Sequence, residues 1–287
     1  MKPGLRTKLA SLLILAQASW VYPWFVASHI QLTGQAVRMV AGLLPEFFRQ
    51  GEKTISHTSQ DPDILTEVFT RALVTREKPD HYFDSEYLKG ETLPLTRYEY
   101  YRLLHRKGLD PQVVGCLPYA IWEWTEKLTG AFAQFRRWPE SKEIQTKCLL
   151  YAGILAHYVQ DGCMPLHVTL HYDGQMKDGL SPRTGLHQKM DGLFQLVRLD
   201  TEKIAAGLKV KPSVDLYNLV LQKLKESQSL VEEVYRLETE LMAEEKSSRV
   251  ISLAEKCYQN ALSFTATVFL TAWESSARAR IPDWVEP

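Results

Sequence analysis

Cysteine is scarce in this chain: there are four, and no two form a C-x-x-C pair. A zinc ribbon is thereby excluded. Neither G-x-x-x-x-G-K-[ST] nor G-x-S-x-G occurs, so no phosphate-cradling loop or nucleophile elbow competes for the chemistry. An excess of charge of either sign is also missing, with 34 Lys and Arg against 34 Asp and Glu. Nothing global therefore draws the chain to nucleic acid or anionic lipid, although a local basic groove is compatible with a neutral total. Internal repeats, low-complexity stretches and Gly- or Ser-rich linkers are absent, as is any alternating strand pattern longer than a few residues.

What is present reads as helix. Apolar residues make up 45% and charged residues 24% of 287 positions, the composition of a chain that buries a core. Ile30, Val37, Val40, Ala41 and Leu44 recur at three-to-four spacing within 26–50, and residues 109–137, 141–162, 185–207, 213–245 and 248–280 repeat the pattern. Turn residues cluster around Asp61-Pro62, Lys89–Pro94 and Asp173–Thr184. The expected fold is all-α, a single helical domain over residues 19–287. The charged stretch "LVEEVYRLETELMAEEKSSR" reads as an exposed helix laced with ion pairs. The aromatics of "LPYAIWEWTEKL" read as core, unless Trp122 or Trp124 borders a substrate. Cys148 and Cys163 fall on one expected helix about 22 Å apart, too far to pair. A Cys116–Cys257 bridge is compatible with an oxidising compartment, and burial is the expected role of all four thiols.

The N-terminus carries a separate signal. "MKPGLRTK" is basic, "LASLLILAQA" is apolar, and Ala16-Gln17-Ala18 forms an A-x-A site. This is the pattern of a secretory signal peptide over residues 1–18, with export to the periplasm or medium. An uncleaved membrane anchor is the competing reading, because no charge appears between Lys8 and Arg38. Trp20-Val21-Tyr22-Pro23 and His29 shorten the apolar run below about 20 residues, which speaks against it.

The chemistry concentrates in "LAHYVQDGCMPLHVTLHYDG" and "GLHQKMDG". Residues four apart on a helix share a face, so His157 with Asp161, and His187 with Asp191, each aim an imidazole and a carboxylate at one point. Eight histidines and twelve aspartates placed at random over 287 positions give about 0.3 such pairs. Three occur, the third being His57–Asp61, which Pro62 separates from any continuing helix. The neighbours of His157 and Asp161 are almost all apolar. An ionised aspartate there is costly unless it is paired or metal-bound. Two such pairs plus His167 within 35 residues point to a metal, and imidazole and carboxylate donors without thiolate suit Zn²⁺, with Fe or Mn as alternatives.

These residues carry a family resemblance. "HYVQDGCMPLH" followed by "GLHQKMD" resembles the H-x3-D-x5-H and H-x3-[DE] pattern of the zinc-dependent phospholipase C and single-strand-specific nuclease superfamily. "WFVASHIQLTGQAVRMVAGLLPEFF" looks like its opening W-x4-H and first helix. "SQDPDILTEV" and "KPDHYFDSEY" look like its Asp-bearing and His-Tyr-bearing segments. The match runs in order from Trp24 to Asp191. It implies a helical fold around two to three Zn²⁺ ions. Asp63, His81, His157 and Asp161 would hold one ion, and His167, His187 and Asp191 a second. His29, with Asp161 as a bridge, would help hold a third. Asp63 is taken over Asp61 on the "PD" match, and it doubles as a proton acceptor. His57, His105 and His171 match no ligand position, though His171 is the nearest to one. In the family the mature N-terminal Trp completes the third site. Here the match is Trp24, while cleavage after Ala18 leaves Ser19 at the terminus. The third site is then altered, absent, or completed by a second trimming step.

The implied activity is phosphoric ester hydrolysis in line, by water activated between the ions and without a covalent enzyme intermediate. "HVTLHYDGQMKDG" lacks the Gly-Gly-Asn segment of the nucleases, and neutral charge gives no support for a polynucleotide groove. Asp191 matches the nucleases, whereas the best-known phospholipases carry Glu there. The reading favours a phospholipase C-like hydrolase acting on a phospholipid or other phosphodiester, with peripheral membrane contact and no protein partner. The alternatives are a nuclease taking nucleic acid as substrate, and a metal-binding module without catalysis.

Overall fold

The computed structural model describes residues 24–286, with side chains from residue 26 onward. The expected signal peptide over 1–18 lies outside the described residues, and so does the side chain of Trp24. The chain is all-α. Among the described residues, strand-like pairing is limited to isolated bridges such as Phe83 with Gly115.

The helices that matter for function are α1 (Trp24–Val40), α2 (Glu52–Thr58), α3 (Asp61–Glu67), α4 (Arg97–Arg106), α5 (Leu117–Arg137), α6 (Lys142–Asp161), α7 (Leu186–Asp191), α8 (Leu216–Gln228) and α9 (Ser248–Ser276). Helix α6 packs against α5, α2, α9 and α1, so it runs through the middle of the molecule. Its start is set by Ser141, whose hydroxyl accepts the Ile144 N–H; such a cap contributes about 1 kcal/mol. The main core gathers Phe48, Ile55, Phe132, Leu155, Phe264 and Phe269. A second, smaller core joins Leu186, Met190 and Leu193 to Val234, Leu241 and Leu253.

Three expectations need correction. The segment 213–245 is not one exposed helix: it divides into α8, Val231–Arg236 and Glu238–Met242. Val234, Leu237 and Leu241 form an apolar row that is buried in the second core, while Glu238 and Glu240 between them are half-buried. Asp61-Pro62 is not a loop. It opens α3, because proline lacks only an N–H that the first helical turn leaves unpaired anyway. The helix expected from residue 109 begins at Leu117, since Gly115 has φ +85°, a left-handed conformation that interrupts it. All four cysteines are buried free thiols. Among the described residues, no helix is long and apolar enough to cross a membrane.

One contact fixes the distance between α2 and α6. A Cβ built on Gly153 would lie 2.5 Å from the Ile55 carbonyl oxygen and 2.7 Å from the Thr58 Cβ. Only glycine lets the two helices approach so closely. Gly153→Ala should therefore destabilise the protein by about 1–3 kcal/mol through overpacking. Equilibrium urea unfolding measures this, and an unchanged midpoint would show that the helices separate without cost.

Candidate metal centre

The histidines and aspartates expected to act together arrive from separate elements. Helix α1 contributes His29, α3 contributes Asp63, and the last turn of α6 contributes His157 and Asp161. The 3-10 turn Lys78–His81 brings His81, the turn Pro165–His167 brings His167, and α7 brings His187 and Asp191. Gly162 ends α6, and the Met164 N–H returns to the Asp161 carbonyl at 2.9 Å. That tight reversal is what carries His167 back toward Asp161. His187 and Asp191 share one face of α7, as their spacing requires.

The donor atoms fall into three groups, each with ligand atoms within 4.8 Å of one another: His29–His157–Asp161, Asp63–His81–His157 and His167–His187–Asp191. Asp161, 3% exposed, lies between the first two. Its Oδ1 faces His29 Nε2 at 3.4 Å. Its Oδ2 faces His81 Nδ1 at 3.1 Å and His157 Nε2 at 3.3 Å. Asp63 Oδ1 is 3.7 Å from both of these imidazole nitrogens. Asp191 spans the third group, with Oδ1 3.1 Å from His167 Nε2 and Oδ2 3.2 Å from His187 Nε2.

Hydrogen bonds on the far side of four rings decide which nitrogen points inward. His157 Nδ1–H donates to the Ser59 carbonyl at 2.8 Å, and His167 Nδ1–H to the His81 carbonyl at 2.7 Å. His29 Nδ1–H donates to Gln160 Oε1 at 2.7 Å, while the Gln160 amide nitrogen donates to Thr33 at 2.8 Å and so fixes the amide orientation. His187 Nδ1–H reaches the Tyr172 carbonyl at 3.3 Å. In each neutral ring Nε2 is then a bare lone pair aimed at a carboxylate, the arrangement that a metal ligand needs. His81 differs: Nδ1 faces the cluster, and its buried Nε2 has no partner among the described residues.

Charge on these groups is strongly coupled. Burial opposes protonation of His157, but the Asp161 and Asp63 carboxylates outweigh it and raise its pKa to about 9. Burial likewise opposes protonation of His167, and Asp161 and Asp191 raise its pKa to about 10. For His29, burial and the neighbouring His157 lower the pKa. Asp161 is pushed upward by burial, but His157 and His167 hold it well below the usual carboxylate range. The same lone-pair contacts would be satisfied by divalent cations. Metal–ligand bonds of about 2.0–2.2 Å put tetrahedral donors roughly 3.4 Å apart, the range of the spacings in this cluster. The donor set therefore fits metal ions held by imidazole and carboxylate.

Two cavities meet at the cluster and share Asp63, Thr66, His167 and Asp191. One, of about 160 Å³, extends toward α1 between His29, Gln160 and Phe194. The other, of about 630 Å³, opens between Lys78, Tyr82, Tyr87, Tyr172 and Met176. Asp84 also faces this larger cleft; burial and the nearby Glu86 raise its pKa to about 8, against the opposing pull of His167. Sequence reasoning did not single out Asp84, whose burial has no signature in "HYFDSEY". The backbone acceptor Ser59 was equally unreadable.

Other expected residues lie elsewhere. Asp63, not Asp61, joins the cluster. His57 and His105 are exposed, with His57 bonded to Gln60. His171 stands outside the three groups; its Nδ1 accepts the Met176 N–H at 2.9 Å. Trp122 is buried against Tyr217, and neither it nor Trp124 lines a cavity at the cluster. Trp24 enters only as the first residue of α1. No protein-family model matches the chain, and no curated protein matches it either.

Substitution distinguishes donors from neighbours. His157→Ala should reduce the metal retained after dialysis against a divalent cation, because His157 belongs to two groups. His171→Ala should leave the metal content unchanged. Elemental analysis of both variants reads this directly, and equal metal content would remove His157 from the donor set.

Proposed function

We propose that this protein is an exported zinc-dependent phosphoric ester hydrolase, with a phospholipase C-like activity as the favoured form. The observation that carries the reading is the split of Asp161 between two imidazole sets beside a third set built on Asp191. Held in such sets, divalent ions would supply Lewis acidity toward phosphoryl oxygens and a bound water with a pKa near 7. Imidazole and carboxylate donors without thiolate favour Zn²⁺ for this role.

The chain's own groups have distinct parts. His29, His157, Asp161, His81 and Asp63 would hold ions on one side, and His167, His187 and Asp191 on the other. Asp63 lines both cavities and is the most exposed carboxylate of the set, at 35% against 4% for Asp161 and 15% for Asp191. We assign it the proton released from attacking water. Lys78, on the rim of the larger cleft, is suited to attract a phosphoryl anion. Leu166, Val113 and Met176 narrow the water-accessible volume around a bound ester.

Exposed apolar side chains support a phospholipid substrate. Ile64 lies in α3 beside Asp63, and Val68 and Phe69 follow at its end; all three are exposed. Such side chains suit contact with an acyl surface. A nuclease is the second reading, supported by Tyr82, Tyr87 and Tyr172 in the cleft, since tyrosine faces stack on nucleobases. A metal-binding module without turnover is the third.

Purified, zinc-loaded protein assayed side by side on phosphatidylcholine vesicles and single-stranded DNA separates the first two. Hydrolysis of phosphatidylcholine with loss of activity on chelation is expected. Cleavage of DNA alone would replace the phospholipase reading with the nuclease. Bound zinc without turnover of either substrate or of bis(p-nitrophenyl) phosphate would leave only the binding module.

A further inference from the structure

His81 is the one imidazole of the cluster whose outward nitrogen has no partner among the described residues. No carbonyl or carboxylate orients its ring from behind, so its place depends on the turn Lys78–His81. That turn does two things at once. It puts His81 Nδ1 3.0 Å from His157 Nε2 and 3.1 Å from Asp161 Oδ2. It also supplies the His81 carbonyl that orients His167 in the third donor group.

Asp80, the preceding residue, is 2% exposed and tied by two arginines. Arg97 Nη1 donates to its Oδ1 at 2.5 Å, Arg97 Nη2 to its Oδ2 at 3.3 Å, and Arg76 to the same Oδ2 at 2.6 Å. Arg97 opens α4, and its side chain is only 9% exposed. Glu123 of α5 holds its other face, accepting from Nε at 2.7 Å and from Nη2 at 3.0 Å. Burying two charges, Asp80 and Arg97, in this way is a poor route to stability alone, because well-packed apolar residues often serve as well. A forked guanidinium bound on two sides does fix orientation, which apolar packing does not.

We infer that Arg97 is a positioning residue for the metal centre, clamping Asp80 so that the His81 ring and carbonyl stay aligned with Asp161 and His167. The inference rests on the metal-binding reading of the cluster and is independent of which phosphoester is cleaved. Arg97 touches none of the donor atoms; it acts through Asp80 and the turn.

Co²⁺ titration of the full chain, followed by calorimetry and by absorption of the bound ion, tests this. Arg97→Met should weaken Co²⁺ binding by about tenfold or more, the usual scale for a lost outer-shell support. Arg97→Lys should fall between, since lysine keeps the charge and loses the fork. The chelated proteins should keep their helical circular dichroism. Should Arg97→Met fail to fold, Asp80→Asn carries the same test with little change in shape. Unchanged Co²⁺ affinity and spectrum in the folded variants would overturn the clamp, including where the thermal midpoint of the chelated protein drops. A wild-type chain that takes up no Co²⁺ would instead overturn the metal reading itself.

Discussion

A carboxylate nearly out of reach of water governs the organisation of this molecule. Asp161 is buried at the end of the central helix α6, where an ionised oxygen survives only if positive charge or strong donors surround it. Its two oxygens face different partners, His29 on one side and His81 with His157 on the other. Those partners come from α1, from a 3-10 turn and from α6 itself. The packing of these elements around α6 is thus also the assembly of the candidate site. Displacing any of them leaves a buried charge uncompensated.

The acceptors behind the imidazoles come largely from places where regular structure stops. Ser59 follows the last residue of α2, where helix carbonyls lack intrahelical donors, and its oxygen takes the His157 proton. The His81 carbonyl, at the end of a short turn, does the same for His167. Gly153, one turn before His157 on the same face of α6, sets how near α2 comes to α6 and so contributes to the tautomer of His157. With their Nδ1 protons committed outward, these imidazoles present Nε2 inward, where either a proton or a metal ion bridges to the carboxylates.

The two cavities give the centre a direction. The small one ends against α1, and the larger one opens past tyrosines and a lysine. Under the proposed hydrolase reading, a substrate would present its ester to the cluster from the larger side. Asp84, buried on that side, adds a carboxyl whose protonation differs from that of the donor carboxylates. Burial, with Glu86 beside it, favours the neutral form of Asp84, whereas His157 and His167 favour the ionised form of Asp161.

Much of this was legible from the sequence. Helical periodicity gave the all-α fold, and H-x3-D spacing gave His157 with Asp161 and His187 with Asp191, because residues four apart must share a helical face. Proline placement argued correctly that His57 and Asp61 do not belong to one continuous helix. What the sequence could not supply were the relations between elements. The apolar row Val234, Leu237 and Leu241 hid within a charged stretch, since charge counts do not reveal which face packs. The "PD" match favoured Asp63 over Asp61, but that Asp63 meets His81 and His157 depends on how α3 packs. Asp84 and Arg97 are ordinary charged residues until the fold buries them. Spacing along one helix is fixed by covalent geometry and can be read from the chain; proximity between helices is fixed by packing, and only the tertiary structure decided it.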